Sequence, residues 1–164
     1  MVKNNVCEFS GVIQLVEVKE VEELHYGVDN EFEKSGLKSQ GIVIGNYTFF
    51  EFDDQTHSGV FEGSIISKWY LNKGNQIAYD DIQSIADGYT NNVFIGSWTN
   101  YTNRNSKICR WADYRVPMAN NDFDIGAGEF SVSEKYSTKG WKAEILKYSD
   151  DENKSKLINT QWWK

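Results

Sequence analysis

Four cations and four aromatic residues share one short stretch of this chain. Arg104, Lys107, Arg110 and Arg115 are interleaved with Trp98, Tyr101, Trp111 and Tyr114. A guanidinium beside an aromatic ring can stack on a planar molecule and pair with its carboxylate or phosphate. Trp98, Tyr101, Arg110, Trp111, Tyr114 and Arg115 are therefore the candidate ligand-binding residues. The matching ligand is small and hydrophobic, aromatic or anionic. Ordinary strand alternation offers a competing account, with the rings packed inside and the cations in water.

Other groups that could carry chemistry are weaker. Asp122, Asp124 and Glu129 resemble an oxygen-ligand calcium loop, but Ile125 stands where the helix–loop–helix pattern needs Gly. Gly126-Ala127-Gly128 reads as a bend, since the Lys-Ser/Thr of a phosphate loop does not follow. The histidines are His25 and His57. His57 ends the acidic run Glu51-Phe52-Asp53-Asp54-Gln55-Thr56, which reads as a solvated turn. Cys109 lies near Lys107 and Arg110, whose charge would lower a thiol pKa, yet alternation points it away from Arg110. There is no Gly-x-Ser-x-Gly elbow and no His-Glu-x-x-His run. No catalytic residue, metal ligand or cofactor is assigned. Asp113, Asp122, Asp124 and Glu129 are the acid–base candidates if the protein is a carboxylate-based enzyme.

The elements that position these residues are mostly strands. Period-two patterning and β-branched or aromatic residues mark 12–18, 41–52, 60–71, 93–101 and 107–116. In the last of these, Ile108, Arg110 and Ala112 should share one face, with Cys109, Trp111 and Asp113 on the other. A final hairpin is expected from Glu129–Tyr136 and Trp141–Tyr148. Asp80-Asp81 can cap a short helix over Ile82, Ile85 and Ala86, stopped by Gly88. Val18, Val21 and Leu24 allow a second helix. Residues 150–156 read as a charged connector, and Leu157–Trp163 as an apolar tail.

Seven or eight strands with one or two short helices predict a mostly β fold. The expected form is an antiparallel up-and-down β-barrel spanning 1–164 as one domain, with a β-sandwich as the alternative. Gly96 should remove a side chain so that a large ring nearby can lie against its strand.

Composition narrows the class further. The chain has 164 residues, a net charge of −7, 15% aromatic residues and a single Pro. That is too aromatic for disorder and too acidic for a general nucleic-acid binder. No apolar run is long enough for a membrane helix. The N-terminus lacks the pattern of a secretory signal. A cytoplasmic location is expected, or a periplasmic or secreted one if a signal has been removed. Cys7 and Cys109 could form one bridge but are expected as thiols.

The strand Phe94-Ile95-Gly96-Ser97-Trp98 resembles the Gly-x-Trp strand of the calycins, the lipocalin and avidin-like ligand-binding barrels. The resemblance covers about ten residues and lies past the chain midpoint, whereas the family carries the motif at the start of the barrel. It implies that Trp98 lies near one end of a barrel, with Arg110 or Arg115 packed across it. The first functional expectation is thus a non-enzymatic barrel holding a small ligand. The second, resting on the −7 charge and small size, is an interaction module such as an inhibitor or immunity protein with a basic protein partner.

Overall fold

The computed structural model describes residues 6–123 and 132–146. Residues 7–117 form one compact unit, and the described residues 118–123 and 132–146 belong to another. The larger unit is a six-stranded antiparallel sheet of β1 (Phe9–Glu20), β2 (Ser39–Glu51), β3 (Gly59–Leu71), β4 (Ile77–Tyr79), β5 (Thr90–Asn100) and β6 (Ser106–Tyr114). The long strands run in the order β1-β2-β3-β5-β6, and β4 pairs on the end of β3. Among the described residues β1 and β6 are the edges, and they do not pair with each other. Cys7 and Cys109 are free thiols.

Strand alternation sorts the side chains into two faces. Tyr47, Gly63, Gly96 and Cys109 are aligned across β2, β3, β5 and β6. The adjacent rows place Phe49, Phe61, Trp98 and Lys107 on one side, and Gly45, Ile65, Phe94 and Trp111 on the other. This face packs its rings closely. Phe94 and Trp111 stack at 4.9 Å, and Tyr47 meets them edge-on at 5.2 and 5.5 Å. Tyr47 is 2% exposed. Its hydroxyl lies over Gly63 and Gly96, where a Cβ on either glycine would run into it and into a strand carbonyl. Gly96 therefore does what its position predicts, and Tyr47 is the ring it admits. In β6, Ile108 and Arg110 are exposed while Cys109 and Trp111 are half-buried, as the alternation requires.

Several expected elements take another form. Val18 lies in β1, so no helix begins there. The expected helix over 80–88 is a run of turns. Asp80 does cap it, accepting from the Ile82 N–H at 3.1 Å, and Gly88 does end it, at φ +80°. The bonds between them join residues three apart, Ser84 to Asp81 and Ala86 to Gln83. Too few apolar residues follow to extend a costly helical nucleus.

In the second unit the expected C-terminal hairpin is replaced. Glu134–Lys139 forms a 3-10 segment and α1 spans Lys142–Leu146. Gly140, at φ +96°, ends the first segment. Tyr136 stacks on Phe123 at 4.8 Å, and Trp141 packs edge-on against Phe123. A small local aromatic cluster thus overrides weak strand propensity. Asp124 and Glu129, the bend 126–128, the connector 150–156 and the tail at 157–163 lie outside the described residues.

Candidate functional site

The most developed polar site of the sheet unit lies on the face opposite Tyr47. Gln40, Ile42 and Lys68 project there, because each is an odd number of positions from the residues of the aromatic face on its own strand. The turns at 80–89 and the segment after β1 meet above them. Four of the polar or hydroxyl-bearing residues here are buried: Gln40 (4% exposed), Asp80 (8%), Tyr89 (7%) and Asn91 (0%).

Asn91 organises the cluster. Its Oδ1 accepts from the Lys68 N–H at 2.6 Å, and its Nδ2 donates to the Lys68 carbonyl at 3.2 Å. The side-chain amide thus stands in for a strand backbone just beyond the point where β3–β5 pairing ends at Ile66 and Val93. The same Nδ2 donates to the Asp80 carbonyl at 2.9 Å, which also accepts from the Tyr89 hydroxyl. Gln40 links the remaining sides. Its Oε1 accepts from the His25 N–H at 2.6 Å, and its Nε2 donates to Asp80 Oδ2 at 3.2 Å.

These bonds fix the charge pattern. Both Asp80 carboxyl oxygens have donors, Ile82 N–H and Gln40 Nε2. Burial still raises the Asp80 pKa above its ordinary value, offset in part by those bonds and by the nearby Lys68 charge. The Lys68 ammonium sits 4.5 Å from the centre of the Tyr89 ring. Among the described residues it has no acceptor for its N–H groups. Beside it opens a cavity of about 240 Å³, with Val21, Ile42 and Gly41 as apolar wall and Lys68, His25 and Gln83 as polar wall. The His25 imidazole and the Gln83 amide likewise have no side-chain partner among the described residues. Gln40, Asp80 and Tyr89 line the same cavity but are held by the buried bonds above, so the groups of this wall left without partners among the described residues are mainly donors. A neighbouring cavity of about 290 Å³, lined by Phe32, Leu37, Tyr70 and Ile82, is larger. Its polar lining is Ser35, Asn72, Lys73, Gln76 and Asp81, but Lys73 is solvent-exposed where Lys68 is half-buried, and Asn72 is engaged within a turn by the Gly74 and Gln76 N–H groups.

No family model, curated protein or solved structure matches this chain.

The six residues marked by the sequence fall in four places. Trp98 donates from Nε1 to Glu51 Oε2 at 2.7 Å, and the Tyr101 hydroxyl donates to the Glu51 carbonyl at 3.1 Å. The cation over Trp98 is Lys107, its cross-strand partner, 5.9 Å from the ring centre. Trp111 belongs to the packed aromatic face, and Arg110 to the opposite one. Tyr114 meets Tyr89 edge-on at 5.1 Å, and the Arg115 N–H donates to the Tyr89 carbonyl at 3.1 Å. Tyr114 and Arg115 thus adjoin the polar cluster, and none of the six lines either cavity.

The remaining groups have structural roles. Glu51 caps β3 through the Gly59 N–H at 2.8 Å. Asp113 accepts from Tyr79 and Asn92 at 2.9 and 2.8 Å. In the other unit Asp122 pairs with Lys135 at 2.5 Å, which lowers its pKa. Burial raises the Cys109 thiol pKa despite Lys107. Among the described residues no three His, Cys, Asp or Glu side chains cluster as metal ligands, and no helix is long and apolar enough to cross a membrane.

The sequence reading missed Gln40, Lys68, Asp80, Tyr89 and Asn91 as a set. One signal was present. Asn91-Asn92 opens a strand, where Asn is disfavoured, and Asn in a strand needs a side-chain partner.

Proposed function

We propose that this protein is a non-enzymatic binding protein for a small carboxylate, held in the Lys68 cavity. The observation that carries this reading is the imbalance at the cavity wall. Asp80 has both oxygens engaged, while Lys68, His25 and Gln83 keep donors that meet no acceptor among the described residues. A carboxylate supplies the missing acceptors, and Ile42 and Val21 cover its apolar part. The volume of about 240 Å³ lies just below the range of roughly 300–1,000 Å³ for drug-sized sites, so the ligand is small. The buried bonds of Gln40, Tyr89 and Asn91 hold the site in shape before binding, which limits the ordering cost of association.

The sequential strand order also favours the wall of an up-and-down barrel, open along β1, over a sandwich, whose strands cross between sheets. The calycin-like reading of the Phe94–Trp98 strand belongs to this proposal. Its support is the place of Gly96 and Trp98 on an inner strand of the meander.

A thermal-shift series tests the function. Acetate, benzoate and succinate are compared with acetamide, benzamide and succinamide. Binding to the native state raises the melting temperature. At least one carboxylate should stabilise the protein while its amide does not, and Lys68→Met should abolish the difference. Equal shifts from acid and amide, or a shift unchanged in Lys68→Met, contradict the reading.

A further inference from the structure

The edge strand β1 carries a second binding feature, separate from the cavity. All twelve of its residues are exposed, and among the described residues it pairs with β2 alone. Phe9, Val12, Leu15, Val16 and Val18 are each between 56% and 66% exposed. Sheet edges are normally protected by charge, Pro or a covering segment. The stretch Phe9-Ser10-Gly11-Val12-Ile13-Gln14-Leu15-Val16 contains neither charge nor Pro.

The register adds order to this edge. Leu15 faces Gly45 and Glu17 faces Ile44, so Val16 is an extra residue in a bulge. Without it, Val18 would turn to the other face. With it, Phe9, Ile13, Leu15 and Val18 form one apolar row. The bulge also separates the neutral stretch from an acidic one. Glu17, Glu20, Glu22 and Glu23 follow, against Lys19 alone, and Lys19 is paired with Glu17 at 3.1 Å.

We propose that β1 receives an extended segment of another protein by strand addition. The segment runs antiparallel to β1, is apolar at alternate positions and carries Lys or Arg at its N-terminal end. Backbone pairing supplies affinity, and side-chain contacts along the apolar row supply preference. Antiparallel addition continues the pattern of every pair in the sheet and is the more stable per residue. It also sets the partner's N-terminal end beside Glu17–Glu23, where basic residues gain most. A second copy fits less well, because it brings a net charge of −7 against another −7.

Fluorescence anisotropy with the labelled peptide Lys-Lys-Val-Lys-Val-Thr-Val-Thr-Val-Thr-Val tests this, with the reversed sequence as control. The forward peptide should bind, more weakly as salt rises. The reversed peptide should bind about tenfold less well, because its charge lies at the wrong end. Leu15→Glu should weaken the forward peptide about tenfold, although it adds an attractive charge, by interrupting the apolar row. Leu15 is 63% exposed, so this change spares the fold. Hydrogen exchange should show new protection over Phe9–Leu15 when the forward peptide is bound. Equal binding by both peptides, no binding, or indifference to Leu15→Glu overturns the proposal. Sedimentation showing a dimer that Leu15→Glu converts to monomer overturns it in favour of a second copy.

Discussion

The side-chain amide of Asn91 pairs with both backbone groups of Lys68, accepting from its N–H at 2.6 Å and donating to its carbonyl at 3.2 Å. One side chain thereby prolongs a β-ladder and fixes the residue whose ammonium faces the cavity. Fold and candidate function meet at this pair.

Replacing Asn91 should therefore cost both. Asn91→Ala leaves the Lys68 N–H without its acceptor, while the Asp80 carbonyl keeps the Tyr89 hydroxyl as donor. Leaving one such group unpaired costs about 1–3 kcal/mol, and a loss in that range is expected. Urea unfolding of wild type and variant measures it. A loss within ~0.5 kcal/mol, the level of an unremarkable surface change, would show that the amide is not an essential strand mimic.

Tyr47 should behave in the opposite way. Its hydroxyl is buried with no hydrogen-bond partner among the described residues, and burial raises its pKa. Tyr47→Phe should be neutral or stabilising by up to about 1 kcal/mol, because it removes an uncompensated polar atom. Gly96→Ala should destabilise by at least about 2 kcal/mol through overpacking against Tyr47 and the Glu62 carbonyl. Equilibrium denaturation checks both, and the reverse ranking would sink this account of the aromatic face.

These sites show what the residue pattern could and could not reveal. The long strands were legible because alternation over twelve or thirteen residues leaves little choice of structure. The space-making role of Gly96 followed from its place between large residues, although the ring it admits, Tyr47, is 49 positions away in sequence. The helix expected at 80–88 had a cap and a stop but too little apolar surface between them. The polar cluster was illegible because Gln40, Lys68, Asp80 and Asn91 come from four separate segments. Each alone reads as an ordinary strand or turn residue. The interleaved cations and rings of 98–115 were conspicuous in sequence, but alternation sends Arg110 and Trp111 to opposite faces.

The pH dependence follows from Asp80. Burial is the largest influence and raises its pKa in the folded state. The unfolded carboxyl titrates near its ordinary 3.8. Relative to Asp80→Asn, the wild type should thus hold its greatest advantage below that value, where both states are protonated. The advantage should shrink as pH rises through the raised folded pKa. Chemical denaturation of both proteins across the acid range measures the difference. An advantage that grows with pH would show that the bonds from Gln40 and Ile82 outweigh desolvation.

A small carboxylate should bind beside Lys68. The most direct measurement is a two-dimensional amide NMR titration with the carboxylate that gives the largest thermal shift. Shifts should cluster at Gly41, Ile42, Lys68, Gln83 and Tyr89, around the cavity wall, and should vanish in Lys68→Met. Shifts centred instead on Trp98, Tyr101 and Trp111, or unchanged in Lys68→Met, would contradict the assignment of the site.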